Sequence, residues 1–191
     1  GYGATRSPES LTVPTAGVLN PQEGTVEFTV MPQTPHVKPD DDPYFNDFTW
    51  GTPGINGFLI RRGEHPDTIK KFNVQIYGTP VGTVNLDYNA EFQKGISYKI
   101  VFRWSSTGCA LFVDGQKKAE TSYLFAAPSA TEAQIGYRPN FRQGNALYDD
   151  LRISSIARTD AEIAAYQSGQ PLPVDEWTTC KMSFDGNLIY F

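Results

Sequence analysis

The stretch Tyr98–Gly115, YKIVFRWSSTGCALFVDG, decides how this chain folds. Its two apolar runs, Tyr98–Trp104 and Cys109–Val113, are rich in aromatic and β-branched residues and suit neighbouring strands. Ser105-Ser106-Thr107-Gly108 between them has turn chemistry, so the stretch reads as one β-hairpin. A second tight turn, Asp114-Gly115, follows at once and sends the chain on to Gln116-Lys117-Lys118.

Strand patterns continue on both sides of this hairpin. Upstream, Gly24–Met31 alternates Val26, Phe28 and Val30 toward a core with Thr25, Glu27 and Thr29 facing out. Lys71–Tyr77 sets Phe72, Val74 and Ile76 against Asn73, Gln75 and Tyr77. Val81–Tyr88 sets Val84, Leu86 and Tyr88 against Asn85 and Asp87. Ser10–Val13 and Phe58–Arg62 are further strands, and Gly63–Lys70 is a turn. Pro32–Gly57 reads as a long Pro-rich loop carrying Asp40-Asp41-Asp42, Tyr44, Phe45, Phe48 and Trp50. Downstream, Lys117–Leu124, Ala133–Tyr137, Ala146–Ser154 and Thr178–Phe184 read as strands, with a loop at Pro139–Asn145. Thr159–Gln167 is the one helix, capped by Thr159 or Asp160, with Glu162 in its first turn and Gly169 at its end. It is too short to stand alone and must pack on a sheet. Many short strands without a βαβ rhythm imply an all-β sandwich of two antiparallel sheets.

The 191 residues are enough for one large all-β domain with a sizeable core. A net charge of −5 argues against nucleic acid as the main partner, because phosphate binding needs a basic footprint. No apolar run approaches the ~20 residues of a membrane span, so no membrane insertion is expected. No signal-peptide pattern opens the chain, and its start on Gly-Tyr-Gly-Ala-Thr suits a piece of a longer protein. Ten Tyr, twelve Phe and three Trp suit sheets, and also suit stacking on sugars. Cys109 and Cys180 lack metal-site spacing, and each falls in phase with apolar neighbours. They read as buried thiols, with a disulfide between neighbouring strands as the open alternative.

Four short motifs stand in order after the hairpin's first strand. They are the "LFVDGQ" end of the hairpin, Ile135-Gly136, Asp149-Asp150-Leu151-Arg152-Ile153, and Thr159-Asp160-Ala161-Glu162-Ile163. Together they make roughly residues 24–169 resemble the laminin-G-like members of the concanavalin A-like lectin/glucanase superfamily. The resemblance implies a jelly-roll sandwich of two curved antiparallel sheets. Family members often open on a strand ending in "FDG"; here that pattern is at the end, in Met182-Ser183-Phe184-Asp185-Gly186. This segment therefore either closes the sandwich or opens a following module, and the second reading is preferred. The domain is then residues 1–170, with 171–191 a linker and extra strand. The opening Ala4–Pro14 and the tail also look similar to jelly-roll modules of phage and prophage tail proteins.

The candidate chemistry is binding. Glucanases of this superfamily carry Glu-x-Asp-x-x-Glu, and a retaining glycosidase needs two carboxyls about 5–5.5 Å apart. This chain has no Glu-x-Asp, and its two histidines, His36 and His65, lie in Pro-flanked segments. No enzyme activity is expected. Sugar hydroxyls call for amides, carboxylates and guanidinium groups, and sugar CH faces call for rings. Asn73, Gln75 and Tyr77 form one such stripe, Asn85 and Asp87 an adjacent one, with Arg61 or Arg62 as an extension. Tyr44, Phe45 and Trp50 would flank one end. The resemblance also implies Ca²⁺, with Asp149 and Asp150 as the matching acidic pair, and Asp40–Asp42 and Asp47 as a second option. Arg138, Asn140, Phe141, Arg142 and Gln143 form a basic, aromatic loop suited to a ligand or a neighbouring subunit. The expected protein is a non-catalytic glycan-binding module, secreted or in a phage tail. Its expected partners are a cell-surface polysaccharide and a homo-oligomer or neighbouring modules. An assembly or adhesion module without sugar binding is the alternative.

Overall fold

The structure, a computed structural model, describes residues 11–33, 44–65, 69–136, 146–166, 173–183 and 189–190, with backbone alone at 44, 64–65, 69–70 and 189–190. Among these residues, β1 (Leu11–Pro14), β2 (Gly24–Pro32), β3 (Tyr44–Thr52), β4 (Asn56–His65) and β5 (Ile69–Thr79) come first. Then follow β6 (Gly82–Asn89), β7 (Tyr98–Ser105), β8 (Gly108–Val113), β9 (Gln116–Thr121) and β10 (Glu132–Ile135). β11 (Ala146–Ser154), α1 (Asp160–Ala164), β12 (Thr178–Met182) and β13 (Ile189–Tyr190) complete the order. One sheet runs β1-β10-β3-β4-β5-β6 and the other β12-β11-β2-β7-β8-β9, with β13 also on β11. Every pairing is antiparallel. This is the jelly-roll sandwich that the sequence implies.

The opening hairpin is β7–β8, with Trp104 opposite Cys109. Its inward side chains meet the other sheet in an aromatic cluster. Phe58 of β4 lies 4.5 Å from Phe102 and 5.4 Å from Trp104 of β7, and 5.3 Å from Phe125. Phe125 sits in the connection after β9 and closes that end of the core. Gly24 stands opposite Trp104, and a Cβ there would come 2.3 Å from the indole, so this position needs glycine.

A charged pair also lies in the interior. Arg62 of β4 and Asp47 of β3 are fully buried, and Arg62 Nε and Nη2 donate to Asp47 at 3.0–3.1 Å. Tyr148 of β11, in the opposite sheet, donates its hydroxyl to Asp47 at 2.6 Å. Burial pushes the Asp47 carboxyl upward, while Arg62 and Tyr148 hold it down. Asp47 is thus committed to the core and is not the loop calcium ligand considered above.

Part of the outward face of the β2 sheet is covered. Ile163 of α1 packs on Val101, Ala110 and Phe112. Beside it, Glu27 of β2 is fully buried; Arg152 of β11 donates Nε to it at 2.6 Å and Lys99 of β7 brings Nζ to 3.3 Å. Lys99 also donates to the Tyr166 carbonyl at 2.7 Å, and Arg152 to that of Pro173 at 2.9 Å. Burial pulls Lys99 below the usual lysine range, against the pull of Glu27. Thr25 and Glu27 do face out, but under this cover they are as buried as the core.

Other expectations change too. Most of the Pro32–Gly57 "loop" from Tyr44 on is β3 and its turn into β4; the irregularity between Asn46 and Phe48 breaks the alternation that would have revealed a strand. Gly63–Lys70 is not a simple turn, since β4 and β5 stay paired to His65 and Ile69. α1 is shorter than expected and starts with a capping box between Thr159 and Glu162. Thr178–Met182 forms a strand, as expected, and pairs along β11 with Met182 opposite Leu151 and Cys180 opposite Ile153. Arg158 clasps the approach to this strand: its guanidinium, almost fully buried, donates twice to Asp175, and the Arg158 amide donates to Thr25 Oγ1. Both cysteines are free; burial pushes Cys109 up to about 12 and raises Cys180. Asp40–Asp42, His36, the side chain of His65, Gly169 and the 138–143 loop lie outside the described residues.

Two outcomes test this account. Arg62→Leu leaves Asp47 buried without its cation and should cost about 3–5 kcal/mol in urea unfolding. Adding Asp47→Leu should recover most of that loss; no recovery would mean the two residues do not act as a unit. The Arg158 guanidinium holds the Asp175 carboxyl well below the usual carboxylate range. A depressed folded-state pKa adds stability above the unfolded value and loses it as pH falls. Wild type should therefore exceed Asp175→Asn in urea midpoint at neutral pH, with the gap closing below about pH 4.

Candidate functional site

The outward face of the β1–β6 sheet carries the polar rows expected from the sequence. Cross-strand pairing fixes which side chains share that face. Arg61, Asn73 and Asp87 stand opposite one another across β4, β5 and β6. Leu59, Gln75 and Asn85 form the adjacent row. Both rows point away from the core because Ile60, Val74, Leu86, Phe58 and Ile76 alternate with them and are buried.

These polar side chains form one network. Arg61 Nε donates to Asn73 Oδ1 at 2.8 Å. Asn73 Nδ2 donates to Asp87 Oδ1 and, at 3.4 Å, to Asn85 Oδ1. Gln75 Nε2 donates to Asn85 Oδ1 at 3.0 Å, and the Tyr77 hydroxyl donates to Gln75 Oε1 at 2.7 Å. Lys71 Nζ closes the far end on Asp87 Oδ2 at 2.9 Å. Asn73 at 0% exposure is the hub, while Asn85 and Asp87 are open to solvent. Fixing an amide by two or three hydrogen bonds leaves its remaining donors and acceptors in set directions. Such a surface suits a ligand that both donates and accepts.

The structure therefore gathers Arg61, Asn73, Gln75, Tyr77, Asn85 and Asp87 in one place. It does not add the aromatic platform. Trp50, expected at the rim, is 2% exposed and packs in the core against Phe58, Trp104 and Phe125, because β3 is a strand that turns it inward. Tyr77 is 5% exposed and offers its hydroxyl to the network instead of its ring to a sugar. Phe45 is buried beside the Arg62 guanidinium, 5.5 Å from ring centre. Arg62 itself faces the core. The side chain of Tyr44 is outside the described set.

Asp149 and Asp150 sit on β11, in the other sheet, at a register shift against β2. Asp150 has φ of +48°, and its amide donates to Asp149 Oδ1 at 2.8 Å. Among the described residues no three His, Cys, Asp or Glu side chains come together as a metal site.

Sequence reading missed further residues on the open face. Thr49 stands opposite Leu59, and Gln134 opposite Thr49. Glu132 shares the Gln134 side of β10 by alternation. The alternation of Glu132 and Gln134 with Ala133 and Ile135 was visible in the sequence, but the partner strand of β10 was not.

Comparison with known proteins agrees with this architecture. The chain belongs to the concanavalin A-like lectin/glucanases superfamily, whose Laminin_G_3 model matches residues 6–164. A "putative carbohydrate binding protein" from Bacteroides ovatus superposes with a TM-score of 0.66 at 16% identity, over 93% of this chain and 49% of that one. The enzymatically active domain of bacteriophage CBA120 tailspike protein 2 gives 0.66 at 11% identity, over 92% and 28%. Domain 4 of AbnA, an extracellular arabinanase from Geobacillus stearothermophilus, solved with arabinotriose, gives 0.54 at 16% identity, over 78% and 68%. The chain thus spans about half or less of the first two proteins. At these identities the likeness is one of fold. No curated protein matches the chain. Among the described residues no helix is long and apolar enough to cross a membrane.

Proposed function

We propose that the open face of the β1–β6 sheet is a non-catalytic glycan-binding surface, recognising a cell-wall or cell-surface polysaccharide. The observation that carries this is the Arg61–Asn73–Gln75–Tyr77 network, with Asn85 and Asp87 at its solvent edge. Binding then works through preset amide and carboxylate groups, with little ring stacking. Affinity at one such face is modest and rises when several copies engage one polymer. The carbohydrate-binding proteins among the structural neighbours support the ligand class. Among the described residues Asp87 is the one carboxylate in the network, whereas glycoside hydrolysis canonically uses two. A secreted or virion protein, or a phage tail in particular, is the proposed setting. The second reading is an assembly or adhesion module, favoured by Ile55 and Val81, which stand 65% and 60% exposed on turns of the same sheet.

On a glycan array, wild type should bind and Asn85→Ala or Gln75→Ala should lower affinity about five- to tenfold. Binding unchanged in both variants would overturn the site. Stable self-association without any glycan bound would favour the second reading. Calcium at Asp149 and Asp150 is a separate proposal, resting on the strand irregularity that begins after Asp149, which still pairs with Thr29, and takes Asp150 out of the regular ladder. Calcium at a hundred times its dissociation constant should stabilise folding by about 2.7 kcal/mol. A melting temperature equal in calcium and in EDTA would remove it.

A further inference from the structure

One end of the sandwich differs from the rest of the surface. It is built from the β3–β4 turn (52–56), the β5–β6 turn (79–83), the β7–β8 turn (105–108) and the segment 121–131. None of these positions is Asp, Glu, Lys, Arg or His, in a chain that is 19% charged. The connections at the other end carry Glu91, Lys94 and Asp114. Three large apolar side chains stand out from the charge-free end: Ile55 at 65% exposed, Val81 at 60% and Tyr123 at 37%. Exposed apolar groups on a surface without charge have the composition of an interface core.

The pieces join into one surface. The Gly57 amide donates to the Ala126 carbonyl at 3.0 Å, and the Ala126 amide to the Tyr77 carbonyl at 3.0 Å. A Cβ on Gly78 would come 2.5 Å from the Ala126 Cβ and 2.7 Å from the Ile55 carbonyl, so segment and turn are in contact here. Val81 tops the next hairpin, two strand spacings or roughly 10 Å across from the Ile55 turn. Phe125 anchors the segment, its ring 5.3 Å from Phe58 and 5.7 Å from Trp50. The turns are held as well. Asn56 Oδ1 accepts from the Thr52 amide at 3.0 Å, and Thr79 Oγ1 donates to the Gly82 carbonyl at 2.6 Å. A surface set in advance loses little freedom when it is covered.

The charges indicate what covers it. At a net charge of −5, two copies of the chain repel over most approaches. A different protein can be recognised by opposite charge. A two-fold contact cannot use that device near its axis, because a charge there faces a like charge on the other copy. This end meets the requirement, with the exposed Glu120 and Glu132 at its rim and no charge within. A lipid surface would call for basic residues, and this end has none.

We propose that this end docks a second copy of the chain, end to end about a two-fold axis. This rests on self-assembly, the second reading above, and not on sugar binding: only turns touch, and the polar rows of both copies stay uncovered.

Sedimentation velocity of the full chain tests it. Wild type should pass from monomer to dimer between about 1 and 300 μM. It should do so as tightly or more tightly in about 0.5 M NaCl, because no ion pair is screened and the repulsion between copies is. Ile55→Lys combined with Val81→Lys should weaken dimerisation about tenfold or more, and so should Ile55→Glu combined with Val81→Glu. Mixed one to one, the two variants should associate again, since opposite charges then meet across the axis. The substituted side chains are exposed, and melting curves check folding. If wild type is monomeric throughout, this contact and the assembly reading fall together, and glycan binding is still decided by the array. If both variants dimerise as wild type does, assembly stands and this end is the wrong surface. A mixture that stays monomeric overturns the two-fold arrangement.

Discussion

Both faces of β2 are buried, and much of the molecule follows from that. Its inward residues Val26, Phe28 and Val30 need the opposite sheet. Its outward Glu27 would be a charge without water, so it must be met by cations and covered. Arg152 and Lys99 supply the charge. The carbonyls of Tyr166 and Pro173 then take up their remaining donors, which draws the chain after α1 and before β12 onto the same face. This requirement covers the strands around Glu27 on their outer side as well.

Such cover also bears on what could be read from the sequence and what could not. Regular alternation carried Lys71–Tyr77 and the polar face of β6 correctly, and their register then put five of the six network residues on two adjacent strands. Thr159 and Glu162 announced the helix start through local spacing. β3 failed because its alternation slips between Asn46 and Phe48, so its aromatics looked like loop decoration and Trp50 like a rim residue. Glu27 was placed on the correct side and in the wrong environment. Its cover comes from residues more than a hundred positions later, which no local period can report. The β10 half of the open face was equally hidden, because its partner β3 had not been seen as a strand.

The open face has the character of a frame set before any ligand arrives. Asn73 is fully buried and bonded to Arg61, Asn85 and Asp87, and Tyr77 spends its hydroxyl on Gln75. Held amides lose little further freedom when a ligand binds, which favours affinity. The same bonding restricts which hydroxyl pattern can fit, since each amide has fixed donor and acceptor directions. Selectivity on such a face comes from hydrogen-bond geometry more than from apolar contact.

The cysteines carry a consequence of a different kind. Cys109 lies in the core with its thiol pushed up to about 12, and Cys180 is raised too, while neither is bonded to the other. Thiolate is the reactive form, so the Cys109 thiol is chemically quiet at neutral pH. The sandwich is held by packing and by buried ion pairs, with no cross-link to form or lose. A reducing medium therefore has no bond between these two cysteines to break.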